Sequence, residues 1–268
     1  YVGGWIHGFS DEWNDNAYDA EATDKASMEL PFGQDELIEA LLAANPNTVI
    51  VLMGGGPIDM RKWQGKAKSI VQAWYPGMEG GNALADILFG KINPSGKLPM
   101  TFPVKLEDSP AHKLAVTGFE SLEQNYTDGI FVGYRYFDTY QVEPAFAFGH
   151  GLSYTTFGYE NLTVTKADGT VTVSLDITNT GKRKGAEVVQ VYVRDEEASM
   201  ERPIKELKAF QKIKLEPGAS QRVTFELGED AFSYYDDQQN KWVLEPGTFT
   251  ILVGSSSRDI RQEGPFVW

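Results

Sequence analysis

The chain has 268 residues, 41% of them hydrophobic and 12% aromatic, with no cysteine and a formal net charge of −14. That length suits two domains with a core in each, and the lack of cysteine excludes disulfides and thiolate chemistry. The three histidines (His7, His112, His150) form no pair at metal-ligand spacing, so no metal and no cofactor is expected. Residues 1–157 carry 20 acids against 10 bases and residues 158–268 carry 18 against 14. No basic stripe exists to displace phosphate counterions, which argues against nucleic acid. The longest buried-looking run, Val49 to Met53, is far short of a membrane span.

The opening Tyr1-Val2-Gly3-Gly4 reads as the tail of a strand and not as a signal peptide, so the chain is expected to be the rear part of something larger. A polar loop of roughly thirty residues follows, a length that usually marks function or disorder. Leu37, Ile38, Leu41 and Leu42 then give Gln34 to Ala44 the stripe of an amphipathic helix, stopped by Asn45-Pro46-Asn47. Thr48 to Met53 has the pattern of a parallel strand buried on both faces, broken by Gly54-Gly55-Gly56-Pro57. A second strand is predicted over Ser69 to Tyr75, a helix over Asn82 to Phe89, and a last strand over Leu98 to Phe102.

This order predicts a parallel α/β sheet with right-handed crossovers. Ligands of such sheets meet the loops beyond the carboxyl ends of the strands. The long loop, the Gly54 turn and the turn Pro76 to Gly81 all belong to that edge.

Residues 107–157 read as a connector. Beyond it, Val171 to Ile177, Val188 to Val193, Val223 to Leu227 and Thr248 to Val253 read as short strands, the first with a clear apolar–polar alternation. Turns at Asn179-Thr180-Gly181, Glu216-Pro217-Gly218 and Glu245-Pro246-Gly247 separate them. This is the pattern of a β-sandwich. The expected organisation is an α/β domain over 1–106, a connector over 107–157 and a sandwich over 158–268.

Several blocks carry a family resemblance in a fixed order. They are Glu21 to Pro31 with Gln34 to Ile38, Ala73 to Ala83, Leu88-Phe89-Gly90, Asn93 to Pro99, Gly133 to Phe137 and Phe148 to Tyr154. Asn179-Thr180-Gly181, Glu187 to Gln190, Arg202-Pro203 and Lys205-Glu206-Leu207 follow. Together these residues resemble the carboxyl-terminal part of glycoside hydrolase family 3, the β-glucosidase family. The resemblance implies an α/β parallel-sheet sandwich domain, incomplete at its N-terminus, followed by an all-β fibronectin type III-like domain. It also implies an amino-terminal barrel that lies outside this chain and carries the nucleophilic aspartate.

Aligned on the family's acid/base motif, Glu21 takes the place of the catalytic glutamate, with Asp24 and Lys25 in the positions that follow. Lys25 stands where arginine is usual and lacks its planar fork. Trp13 lies several residues further from the glutamate than the motif expects, consistent with an insertion over residues 14–20. Met28, Leu30 and Pro31 set the register, and Glu12 is the fallback.

Trp13 and Tyr18, with Trp5 behind them, suit the C–H face of a pyranose, although aromatics in such a loop as often fix the loop itself. Most of the six acids from Asp11 to Asp24 read as a solvated face. Glu29 is expected beside the helix start, where the macrodipole favours a carboxylate, and Glu79 as a cap on backbone N–H groups.

Gly90 to Leu98 lacks P-loop spacing, and no Gly-x-Ser-x-Gly elbow occurs. The function so implied is that of the carboxyl-terminal portion of a retaining exo-acting β-glucosidase, inactive without its barrel. Its partners would be a β-glucoside or oligosaccharide and the missing barrel domain, with no nucleic acid and no membrane. A homodimer is left open, and the expected location is periplasmic or secreted. The alternative is a carbohydrate-binding or scaffolding pair of domains without catalysis.

Overall fold

The computed structural model of the chain describes residues 2–3, 27–114 and 126–268. These fall into two compact units, Tyr1–Lys91 with Phe102–Val116, and Ile92–Thr101 with Thr117–Trp268.

The first unit is built on three parallel strands in the order β1 (Val2–Gly3), β2 (Val49–Leu52), β3 (Ser69–Gln72). Val2 pairs with Val51 on one side, and Ile50 pairs with Ile70 on the other. Helix α1 (Gln34–Ala44) occupies the span its apolar stripe predicts and buries Ile38 and Leu42. Asp35 and Glu36 stand in its first turn, where the helix dipole favours negative charge. Ile50, Val51 and Leu52 are buried, as an interior parallel strand requires.

Two boundaries differ from expectation. The strand predicted over Ser69 to Tyr75 ends at Gln72, and Trp74 takes a left-handed φ of 55° that no strand continues through. Helix α2 spans Gly80–Leu88, two residues ahead of its predicted start.

The predicted strand Leu98 to Phe102 is not part of this sheet. Leu98 exchanges backbone hydrogen bonds with His150 and Gly149 (both 2.8 Å) inside the second unit. Pro94, Pro99 and Pro103 deny the neighbouring ladder positions an amide donor. Phe102 instead packs edge-on against Trp74 in the first unit, ring centres 6.1 Å apart.

The second unit is an antiparallel sandwich. One sheet has four strands in the order β12 (Asp259–Val267), β11 (Thr248–Ser256), β6 (Gly185–Asp195), β7 (Glu206–Leu215). The other runs β4 (Phe157–Ala167), β5 (Thr170–Asn179), β8 (Ser220–Leu227), and a hairpin of β9 (Tyr234–Asp236) and β10 (Lys241–Val243) stands apart. Alternate residues of β5 (Val171, Val173, Leu175, Ile177) meet Val189, Val191, Phe249 and Ile251 in one core.

Strand β6 is also buried on its other face, which explains its nearly unbroken apolar run. The Tyr192 hydroxyl donates to Gln190 (2.6 Å), and the Gln190 amide donates to Ser255 O (2.7 Å) and Gly149 O (3.3 Å). The Lys97 ammonium lies 2.9 Å from the Glu187 carboxylate and donates to Gly151 O at 3.1 Å.

His150 sits in this seam with its ring 5.2 Å from that of Phe146. Burial first, and the Lys97 charge second, push its imidazole below the usual value, with Asp259 opposing. A free histidine titrates near about 6.5, so below that pH the unfolded chain takes up a proton that the folded chain resists. The stability this neutral ring contributes is therefore present above about pH 6.5 and is lost as the pH falls from there toward the folded value. Urea unfolding at pH 7.5 and 5.5 should show a smaller acid loss in His150→Gln than in the native chain. Equal losses would contradict it.

Candidate active site at the carboxyl edge of the parallel sheet

The turns after β2 and β3 and the segment entering α1 share the edge where parallel α/β sheets receive ligands. The first two touch: a methyl group at Gly55 would lie 2.8 Å from the Tyr75 ring and hydroxyl, so only glycine permits this approach. The Gln72 amide also donates to Gly54 O at 3.0 Å. Tyr75 is half exposed and Met78 fully so. Glu79 accepts from the Asn82 side-chain amide at 2.6 Å, so it serves the start of α2 through a side chain and not through backbone N–H groups.

An open hollow of about 320 Å³ is lined by Glu29, Asp35, Asp59, Arg61 and Lys62. Its floor comes from residues 57–63, where Ile58, Met60 and Trp63 are buried and Asp59, Arg61 and Lys62 turn to the rim. The Arg61 guanidinium holds Asp59 from Nε (3.0 and 2.9 Å) and Nη2 (2.6 Å). Burial opposes ionisation of Asp59, but the hydrogen bonds and charge of Arg61 outweigh it and keep the carboxyl below the usual range. Asp35, buried in the first turn of α1, accepts from Trp63 Nε1 at 2.7 Å and lies 3.2 Å from Lys62 Nζ. The hydrogen bond to Asp35 raises the Lys62 ammonium above its ordinary value.

A proton donor for glycoside cleavage needs a raised pKa. Asp59 is shifted the wrong way, as are Asp176, Glu196, Asp236, Glu245 and Asp259. Their chemistry is that of permanently ionised structural groups.

Glu21, Trp13 and Tyr18, with Glu12 and Trp5, lie outside the described residues. The pairing of Asp35 with Trp63 and Lys62 was not read from the sequence. Its partners stand 28 residues apart in the chain, and no local spacing announces it. Among the described residues, no group of three or more His, Asp or Glu could hold a metal ion, and no helix is long and apolar enough to cross a membrane.

The profile of the glycosyl hydrolase family 3 C-terminal domain matches residues 9–154, more than half of the chain. The chain belongs to glycosyl hydrolase family 3. A fibronectin type III-like domain profile matches residues 187–257 of this family 3 chain, in agreement with the sandwich. Among curated relatives, a β-glucosidase of Bacteroides ovatus is 47% identical over 249 residues, covering 91% of this chain and 33% of that protein. The thermostable β-glucosidase B of Acetivibrio thermocellus is 48% identical over 247 residues, covering 91% of this chain and 32% of that protein.

Among solved structures, the Kluyveromyces marxianus β-glucosidase in complex with glucose superposes with a TM-score of 0.88 at 42% identity. It covers all of this family 3 chain and 32% of that one. The Bifidobacterium adolescentis family 3 β-glucosidase gives 0.90 at 39% identity, covering 99% and 38%. The chain thus spans about a third of the length of the curated relatives it matches.

Proposed function

We propose that the chain is the carboxyl-terminal portion of a retaining, exo-acting β-glucosidase that hydrolyses terminal β-D-glucosyl residues. The observation that carries this reading is the identity of 47–48% to proteins named β-glucosidases, sustained over 91% of the chain. In the proposal Glu21 is the acid/base, Trp13 and Tyr18 face the sugar, and the nucleophilic aspartate belongs to a barrel domain outside this chain. A periplasmic or secreted location is part of the same reading.

Retention requires two carboxyl groups about 5–5.5 Å apart. The aspartate attacks the anomeric carbon while Glu21 gives its proton to the departing glycosidic oxygen. Glu21 then takes a proton from water as that water releases the glucosyl group, so the second inversion restores the starting configuration. Glu21 must hold its proton near working pH, which burial or the neighbouring negative nucleophile provides.

The test is a proton NMR assay of the complete protein on an alkyl β-D-glucoside. β-Glucose as the first product supports the proposal, and this chain by itself should release none. α-Glucose as the first product, or binding of β-glucosides without turnover, would overturn it.

A further inference from the structure

The structure assigns to the hairpin of β9 and β10 a binding platform for a β-linked glucan chain, with Trp242 as its centre and Tyr235 as its brace. This goes beyond the proposed catalytic function and makes no use of Glu21.

A strand turns alternate side chains to opposite faces, and this hairpin uses its two faces differently. Asp236 turns inward and is buried. The Tyr234 ring lies under the Arg202 guanidinium, 5.5 Å from its centre, and its hydroxyl donates to Glu245 at 3.4 Å. Arg202 is itself paired with Asp195 at 2.8 Å, so this face is tied to the sandwich. Tyr235 and Trp242 stand directly opposite each other in the ladder. They turn outward, with Trp242 68% exposed and Tyr235 47%.

The outward pair is held in one shape. The two rings meet edge-on, centres 5.6 Å apart and planes at 72°. The Tyr235 hydroxyl donates to the Asn240 side chain. Asp236 accepts from the backbone N–H groups of Gln238 (2.9 Å) and Gln239 (3.1 Å) and from the Gln239 side-chain amide, which fixes the turn at 237–240. A platform shaped before its ligand arrives loses less entropy on binding.

Size, charge and rim chemistry select the ligand. With about 150–250 Å² per aromatic side chain, these exposures leave roughly 200–300 Å² of ring surface open. A stable protein partner needs about 800 Å² on each side, so the patch suits a ligand one or two rings wide. Residues 234–243 carry one cation, Lys241, against Asp236 and Asp237. That balance is wrong for nucleic acid, whose stacked bases need a basic groove beside them. The rim instead offers the exposed amides of Gln238, Gln239 and Asn240, which pair with hydroxyl groups and set orientation. In a β-glucosyl residue every ring substituent is equatorial, so both faces present C–H groups to an aromatic ring. A β-linked chain is also flat enough to lie across the pair.

The test is electrophoresis of the complete protein through native gels that contain hydroxyethylcellulose, a neutral β-glucan, or pullulan, a neutral α-glucan. Hydroxyethylcellulose should retard the native protein and pullulan should not. Trp242→Ala should weaken that retardation about tenfold to a hundredfold, the usual loss when a central aromatic anchor is truncated. Tyr235→Ala should weaken it less, and Trp242→Tyr should keep part of it because a smaller ring remains. Phe210→Ala removes an equally exposed aromatic from β7 and should leave retardation unchanged. The Tm of each variant separates loss of the platform from loss of the fold, and Tyr235→Ala decides the question if Trp242→Ala does not fold. Full retardation of both alanine variants, or none of the native protein, would overturn the proposal. Equal retardation by pullulan would do the same. If Trp242→Ala sediments as a smaller species and keeps its retardation, the rings belong to a protein contact and the glucan platform falls.

Discussion

Glu21→Ala in the complete enzyme is expected to lower kcat/KM for glucosides with poor leaving groups by about 10²–10⁴-fold, the usual range for general acid/base assistance. At 1.36 kcal/mol per factor of ten, this is about 3–5 kcal/mol of transition-state stabilisation. An alkoxide departing without a proton is strongly basic, so the donor matters most there. A nitrophenolate leaves as a stable anion, and kcat/KM for nitrophenyl β-glucoside should change less than tenfold.

Two further signatures follow from the same role. The variant should lose the alkaline limb of its pH–rate profile, because that limb reports the ionisation of the proton donor. Azide, which attacks without needing a base, should accelerate release of the glucosyl group and yield the β-azide. A loss of equal size for both substrate types would remove Glu21 from the mechanism, and Glu12 would be the next carboxylate to test.

Asp138→Ala is expected to destabilise the second unit by about 3 kcal/mol. Asp138 lies in a short helix, α3 (Tyr134–Thr139), with 3% of its side chain exposed, between Lys205 Nζ at 2.8 Å and Arg258 Nε. Arg258 also donates to the backbone carbonyls of Phe137 (2.9 Å) and Val142 (3.0 Å), so one carboxylate secures the whole turn against the sandwich. Removing one partner of a buried pair costs about 3–5 kcal/mol because the remaining charge is left uncompensated. The lower end applies because a third of the Arg258 side chain is in contact with solvent.

For a unit of this size the change corresponds to about 6–12 °C in Tm, measurable by calorimetry. The triple variant Asp138→Leu, Lys205→Met, Arg258→Met should recover most of the loss, since apolar replacement removes the orphaned charges. If Asp138→Ala alone leaves Tm unchanged, the clamp carries no energy. If the triple variant is less stable than Asp138→Ala, the explanation by uncompensated charge fails.

How much of this was legible depends on the range of the interaction that decides each feature. Helix α1 was found residue for residue, because the stripe Leu37, Ile38, Leu41, Leu42 is a local consequence of burying one face. Strand β5 was found for the same reason, its period of two putting Val171 through Ile177 on one side. Strand β7 was not read as a strand: it lies at a sheet edge, and Lys208, Lys212 and Lys214 dilute its apolar pattern as edge strands commonly do. Leu98 to Phe102 has a strand's composition but pairs with residues 149–150, a choice made by partners fifty residues away.

The candidate site divides in the same way. Glu21, Trp13 and Tyr18 were chosen by motif and residue type, both properties of short stretches. The contact of Asp35 with Trp63 could not be read so, since an acid in a helix's first turn reads equally well as a dipole partner.

The sequence by itself determined the family and the two-part α/β and β-sandwich architecture. Each is encoded in local periodicity or in a run of adjacent residues. Only the tertiary structure decided which charged groups are structural. The Asp35–Trp63 and Asp138–Arg258 contacts each join separate elements of the fold. Their strength comes from burial, which removes the competing water, and burial is a property of the assembled fold and of no single segment.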